Sequence, residues 1–291
     1  MITFIPILFS ATLGVSAHLG GYAHWAAHHP RQFARANDPT ITTATTTITQ
    51  YVTQVAIPAT SSSNVATSTD DSSGDSSTAT YRDFCANSKS RRATVEQIAY
   101  EGNTGTDNDY GCNIMEINQS IASKYKYTAT FNNAVNQDQA CVCFNKIGPN
   151  KTDTDGGING SWEGNEAISF TLPASGTKVA AFEGNSQGGC VCGVGSAVPT
   201  TSLGQFAGTW FEFDFGNESN DNWSGADASS LVASANGLET PALKVCGSGI
   251  CSIINTDGTG ENAYVKGMEA EDGVGLNLPP GNVHLTLTVG E

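Results

Sequence analysis

One short run of aromatic and acidic residues, 210–215 (WFEFDF), carries the side chains best suited to chemistry. Side chains alternate between the two faces of a β-strand, so the run predicts one apolar inward face and, opposite to it, an outward face with one aromatic and two acidic side chains. The inward set is Phe211, Phe213 and Phe215. The outward set is Trp210, Glu212 and Asp214.

The outward face suggests three different interpretations. Cα atoms two residues apart in a strand are separated by roughly 6.5–7 Å, and two carboxylates at about that spacing are the pair that an inverting glycosidase uses. Glu212 and Asp214 are therefore the candidate catalytic residues. The same face could bind sugar without cleaving it. It could also be a solvated acidic strand face with no ligand.

Other residues could extend an aromatic platform for sugar on the same side of the strand. These candidate ligand-binding residues, taken together with Trp210, are Trp162, Trp223 and Asp227. A polysaccharide of a fungal or plant wall, such as glucan or chitin, is the partner that exposed tryptophan rings of this kind would contact. We expect no cofactor and no resident metal ion.

All eight cysteines follow residue 80, and their even number predicts up to four disulfides in an oxidising compartment. They are Cys85, Cys112, Cys141, Cys143, Cys190, Cys192, Cys246 and Cys251. Each Cys-x-Cys pair in a strand places both sulfurs on one face, which allows either a zinc site or two cross-strand disulfides. Because secreted thiols oxidise, we predict disulfides: Cys85–Cys112, Cys246–Cys251, and the two Cys-x-Cys pairs joined to each other.

The N-terminal part of the chain predicts secretion. Residues 1–17 form an apolar run that ends in small residues, as a signal peptide does. Residues 18–36 are rich in histidine, and we expect them to be disordered, with copper chelation at His18 as the alternative. Residues 37–80 are a Ser/Thr-rich linker that cannot bury enough apolar surface to fold.

Residues 81–291 are long enough for one sizeable core, and their short β-branched and aromatic runs predict an all-β sandwich or barrel. The clearest predicted strands are 167–172, 178–182, 209–215, 243–246, 251–254 and 283–289. One short helix is predicted over 226–235, with Ser224 as its N-cap and Asn236-Gly237 as its stop.

Charge and hydropathy exclude two classes of partner. The formal net charge is −15 and the pI is near 4.5, so the chain lacks the basic surface that nucleic acids require. Beyond the N-terminus it lacks an apolar run of about 20 residues, so we expect no transmembrane anchor. Five N-glycosylation sequons predict a glycoprotein; their acceptors are Asn118, Asn150, Asn159, Asn217 and Asn222.

Several segments of the domain, in this order and spacing, carry a family resemblance. They are GCNIMEI from Gly111, KYKY from Lys124, FNKIGP from Phe144, DGG from Asp155, EGNSQG from Glu183, TWFEFDF from Thr209, NWSGAD from Asn222, KVC from Lys244, CSII from Cys251 and DGVG from Asp272. Together they resemble the fungal allergen family typified by Asp f 4, over about residues 81–291.

The resemblance implies a secreted fungal protein, extracellular or associated with the cell wall, that host IgE recognises. It supplies no catalytic residues. The expectation from the sequence is therefore a glycosylated, disulfide-stabilised antigen without catalytic activity. The alternative is a protein that binds or hydrolyses wall polysaccharide through Trp210, Glu212 and Asp214.

Overall fold

The structure, a computed structural model, describes residues 79–86, 101–149 and 159–290. The signal peptide, the histidine-rich segment and nearly all of the linker predicted above lie outside these residues. Within them the chain forms two β-sheets, a short hairpin and one α-helix, α1 (Leu231–Ala235). The predicted all-β class is confirmed, and the architecture is a sandwich.

The strands are numbered in chain order. They are β1 (Gly105–Thr106), β2 (Asp109–Tyr110), β3 (Ile114–Ile117), β4 (Tyr127–Asn133), β5 (Gln139–Asn145), β6 (Ile168–Leu172), β7 (Thr177–Phe182), β8 (Ser186–Val194), β9 (Trp210–Asn217), β10 (Trp223–Ser229), β11 (Leu243–Gly247), β12 (Ile250–Ile254), β13 (Gly260–Glu261), β14 (Leu276–Leu278) and β15 (Val283–Val289). Short 3₁₀ helices cover Gln119–Lys124 and Glu218–Asn220.

Both sheets are built mainly from antiparallel neighbours. The six-stranded sheet has the order β14-β10-β9-β8-β5-β6, and the seven-stranded sheet has the order β13-β12-β11-β15-β4-β7-β3. The β15–β4 pair is parallel. All six strands listed from the sequence are present, with boundaries within two residues of those predicted, because each of them is a β-branched or aromatic run bounded by turn residues.

The main core lies between the inner faces of the two sheets. Phe213 on β9 packs against Phe182 on β7 with ring centroids 4.6 Å apart, and Phe215 stacks on Tyr127 of β4 at 5.4 Å. The inward orientation predicted for the phenylalanines of β9 is therefore confirmed. Their rings join the two sheets across the sandwich.

All four predicted disulfides are confirmed. The two bridges between Cys-x-Cys pairs are Cys141–Cys192 and Cys143–Cys190, and they join directly opposed positions of β5 and β8 within the core. The local bridges are Cys85–Cys112 and Cys246–Cys251. All eight cysteines are thus paired with one another, which leaves no thiolate for the zinc alternative.

The predicted helix over 226–235 is wrong in its first half. Ala226 to Ser229 belong to β10, where they pair with β9, and α1 begins only at Leu231. Ser224 is a buried strand residue whose hydroxyl accepts a hydrogen bond from the Gly216 N–H, so it does not cap the helix. The predicted stop is correct, because Asn236 caps the helix and Gly237 follows with φ of 65°.

Candidate functional site

Strand β9 is buried on both of its faces. On the outer face, Trp210 is 4% exposed, Glu212 is 4% exposed and Asp214 is 6% exposed. The alternation predicted from the sequence is therefore correct, but the solvated acidic face that was one of the three interpretations is not formed. Two segments that follow β8 and β12 in the chain pack over the outer side of the sheet.

Trp210 packs in an apolar cluster beneath the first of these segments. Its ring lies edge-on to Phe144 with centroids 5.0 Å apart, and Phe144 stacks on Phe206 of the segment at 5.9 Å. Trp162 and Trp223 are each half-buried. The exposed aromatic platform expected from the sequence is not formed, because Trp210 is part of this cluster.

Glu212 lies beside Asp227, and not only beside Asp214. The register of β9 and β10 places Glu212 directly opposite Asp227, which is itself 3% exposed. Burial raises the pKa of Asp227 well above its ordinary value, and the negative charge of Glu212 raises it further. Burial and the neighbouring carboxyl group thus both favour the protonated form of Asp227.

A glycine lies close to Asp227, one member of this carboxyl pair. Gly275 has φ of 104°, and a Cβ atom at this position would lie 2.7 Å from the Cβ of Asp227. Only glycine allows such a close approach of backbone to the carboxyl-bearing residue. Tyr264, in the same segment, is bonded to β10 through its backbone N–H and the Ala228 carbonyl.

Asp214 has different neighbours from Glu212. Its Oδ2 atom accepts a hydrogen bond of 2.8 Å from Asn217 Nδ2, and it lies opposite Gln187 of β8. The ammonium of Lys146 donates to Gln187 Oε1 over 3.4 Å. Burial lowers the pKa of Lys146 to about 8, although the negative charge of Asp214 acts in the opposite direction.

The arrangement fits acid–base chemistry in one respect and not in another. Directly opposed side chains have Cβ atoms about 4.5–5.5 Å apart, so Glu212 is a closer neighbour of Asp227 than of Asp214, the residue with which the sequence paired it. A raised carboxyl pKa suits a general acid. Both groups are buried, however, and a substrate must contact the residues that act on it.

Sequence reasoning missed Lys146 and Gln187, and it treated Asp227 only as part of an aromatic platform. Lys146 follows β5 without any periodic pattern around it, and Gln187 lies in a glycine-rich strand. The pairing of Asp227 with Glu212 depends on strand register. The alternating run Asp227-Ala-Ser229 is the one local pattern that indicates a strand here.

The sequons differ in how they are exposed. Asn118 and Asn222 are exposed, Asn159 is half-buried, and Asn217 is only 2% exposed. The amide nitrogen of Asn217, which would carry a glycan, is the donor to Asp214. Folding thus makes Asn217 the least suitable of these acceptors, and Asn150 lies outside the described residues.

Two clefts open elsewhere on the surface. One of about 310 Å³ lies at an end of the sandwich near the β9–β10 turn, and one of about 840 Å³ lies beside β3. Neither is lined by Glu212, Asp214 or Asp227. Among the described residues, no group of three or more His, Cys, Asp or Glu side chains is arranged to hold a metal ion, and no helix is long and apolar enough to cross a membrane.

Comparisons with known proteins identify a family for most of the sandwich. The model of the Allergen Asp f 4-like domain matches residues 112–289. Allergen Asp f 4 of Aspergillus fumigatus is 36% identical over 196 residues, which is 66% of this chain and 58% of the relative. The chain thus spans less than two thirds of that relative's length.

Solved structures add little to this assignment. IP-1A from Alcaligenes faecalis, known from a crystal structure at 1.8 Å resolution, aligns with 57% of this chain and 91% of its own. The sequence identity is 11% and the TM-score is 0.23. A likeness at this level carries no argument about fold or function.

Proposed function

Because this chain belongs to the Allergen Asp f 4-like family, we propose that it is a secreted, glycosylated fungal antigen, extracellular or wall-associated, that acts without catalytic turnover. IgE is the host partner that we infer from the family. The outward-facing carboxylates are, in this account, buried structural groups. Host recognition would then depend on the folded surface of the sandwich.

Disulfide pairing supports secretion. All eight cysteines are paired, and four of them form two bridges within the core. Such bridges persist in oxidising compartments and are rare in the cytosol. The predicted signal peptide and the exposed sequons at Asn118 and Asn222 agree with the same compartment.

Burial of the carboxyl groups is the observation that supports a protein without catalytic turnover. Glu212, Asp214 and Asp227 are each no more than 6% exposed. A hydrolase needs its acid and its nucleophile or base in contact with substrate. The half-buried Trp162 and Trp223 supply no exposed platform next to them.

The test is expression of the full chain in a filamentous fungus, with the medium and the wall fraction assayed separately. We expect the protein in one of these fractions, with four disulfides and glycan on the exposed sequons. IgE from sera reactive to the Aspergillus fumigatus relative should bind the folded protein more strongly than the reduced, alkylated protein. Retention inside the cell, or equal IgE binding to both forms, would contradict the proposal.

The carboxyl pair itself favours a second candidate, a polysaccharide hydrolase. The raised pKa of Asp227 beside Glu212 is the arrangement that a general acid requires. This candidate predicts saturable retention on insoluble β-glucan, chitin or cellulose and release of soluble sugar, both assayed with the folded protein. Glu212→Gln should abolish the release, and Glu239→Gln, at an exposed position in the loop after α1, should leave it unchanged.

A further inference from the structure

The smaller cleft lies where one end of each sheet meets the N-terminal segment of the domain. Its volume is about 310 Å³, at the lower end of the range for small-ligand sites. Five aromatic rings line it: Tyr81, Phe84, Tyr125, Tyr127 and Phe182. Tyr127 and Phe182 are buried, and Tyr81 is 42% exposed, so the rings extend from the floor of the cleft to its outer edge.

The aromatic wall is held in place by its own contacts. The rings of Tyr81 and Tyr125 have centroids 4.8 Å apart, and Phe84 meets Tyr125 edge-on at 5.7 Å. The Tyr125 hydroxyl donates to the Arg82 carbonyl and accepts from the Arg82 N–H, each over 3.0 Å. The N-terminal segment is thus fixed against β4, and its exposed ring is preorganised.

Polar groups surround the aromatic rings. They are the side chains of Lys124, Lys126, Glu183, Asn185, Glu218 and Asn222. Aromatic faces with a few hydrogen-bonding groups around them are suited to a sugar, whose C–H face is apolar and whose hydroxyl and acetamido groups are polar. This combination differs from the purely apolar cluster around Trp210.

Asn222 is both a member of this cleft and the acceptor of a sequon. It is exposed in the left-handed conformation with φ of 62°, and its N–H donates to the Asn217 carbonyl over 2.8 Å. The third residue of the sequon, Ser224, is buried and bonded to the Gly216 N–H. A glycan on Asn222 would therefore begin from a fixed turn at the edge of the cleft.

We propose that this cleft binds the first N-acetylglucosamine of an N-glycan attached to Asn222 of the same chain. The inference rests on the glycosylation in the proposed function and specifies where that glycan lies. Because the sugar is covalently tethered at the edge of its site, its effective concentration is high and little affinity is needed to occupy the cleft. The docked sugar covers the exposed ring of Tyr81 and ties the β9–β10 turn to the N-terminal segment.

Asn118 provides a matched comparison. It is also an exposed acceptor, and it also lies beside a cleft, the larger one of about 840 Å³. The described residues that line that cleft include no aromatic ring. A glycan on Asn118 has no comparable wall on which to stack, so it should contribute less to the stability of the domain.

The experiment compares Asn222→Gln and Asn118→Gln in the full chain, each made both in a glycosylating host and in an oxidising bacterial host that adds no glycan. Glycopeptide mass spectrometry first establishes occupancy at each site. The glycan-dependent part of each effect is the Tm change in glycosylated protein minus the change in unglycosylated protein. For Asn222 we expect a loss of about 2–4 °C, and for Asn118 a value near zero.

Two further measurements separate docking from a general effect of glycan. Trimming to a single N-acetylglucosamine with an endoglycosidase should preserve the Tm, because the first sugar makes the contact. In a protein that also carries Tyr81→Ala, the Asn222→Gln substitution should no longer cause a glycan-dependent loss of Tm. If Asn222 is occupied and its glycan changes the Tm no more than that of Asn118, docking is wrong while glycosylation stands. If Asn222 is unoccupied, glycosylation at this site and the docking both fail.

Discussion

The two faces of strand β9 are both buried, but they pack against different kinds of neighbour. Its inner face carries three phenylalanines that pack against the seven-stranded sheet, close to two disulfides. Its outer face carries Trp210, Glu212 and Asp214 beneath segments of the same chain. The inner face gains free energy from every apolar contact, whereas the outer face must find a partner for each polar group that it removes from water.

This difference explains the electrostatics of the outer face. Asp214 is bonded to Asn217 and lies near the Lys146 ammonium, so its charge has compensating neighbours. Burial raises the pKa of Asp227, and the carboxyl group of Glu212 directly opposite raises it further. Removing the inner-face disulfides or the partner of Asp214 should therefore destabilise the protein, whereas replacing Asp227 should stabilise it.

The inner face should give the largest loss. Replacing all four cysteines of the β5–β8 bridges by alanine should lower the free energy of unfolding by about 4 kcal/mol, because these bridges close loops that span 47 and 51 positions. Replacing only Cys143 and Cys190 should cost much less, since the neighbouring bridge still restricts the unfolded chain. Urea denaturation under non-reducing conditions measures both values, and equal losses for the two variants would contradict this explanation.

A polar contact on the outer face should give an intermediate loss. Asn217→Ala removes the donor to the buried Asp214 carboxylate, which should lower the free energy of unfolding by about 1–3 kcal/mol. Asn220→Ala, an exposed position on the same turn, is the control and should change it by less than about 0.5 kcal/mol. Both variants are made without glycan. A loss no larger than that of the control would mean that Asp214 does not depend on Asn217.

The contrast between the faces also separates the features that the sequence can predict from those that it cannot. The alternation in β9, the inward phenylalanines and the four disulfides follow from local spacing and compartment, and the structure confirms them. Burial of the outer face does not follow, because it depends on where Phe206 and Gly275 pack from distant parts of the chain.

The candidate site shows the same limit. The capping signal at Ser224 and the stop at Asn236-Gly237 predict a helix that includes Asp227, but pairing with β9 makes Ala226 to Ser229 part of a strand. Its contact with Glu212 depends on register, which a sequence pattern does not specify when both faces of the strands are buried. Lys146 and Gln187 meet only because β5 and β8 are neighbours, and no spacing in the sequence links them.

Replacing the ionisable Asp227 by a neutral residue should stabilise the protein above the ordinary carboxyl pKa. Below the ordinary carboxyl pKa of 3.8, Asp227 is protonated in both the folded and the unfolded chain. As pH rises through that value, the unfolded chain ionises while the folded one keeps its proton, so stability falls. Asn cannot ionise and retains a hydrogen-bond donor, so Asp227→Asn avoids a loss of about 1.4 kcal/mol for each unit by which the pKa is raised.

The most direct test is therefore the free energy of unfolding of the wild-type protein and Asp227→Asn, measured by urea denaturation at intervals from pH 4 to pH 7. We predict that the two proteins are similar near pH 4 and that the variant becomes progressively more stable toward pH 7. Asp107→Asn, at an exposed position of the β1–β2 turn, should show no such trend. A variant that is less stable at pH 7, or a difference that does not change with pH, would contradict a buried and protonated Asp227 beside Glu212.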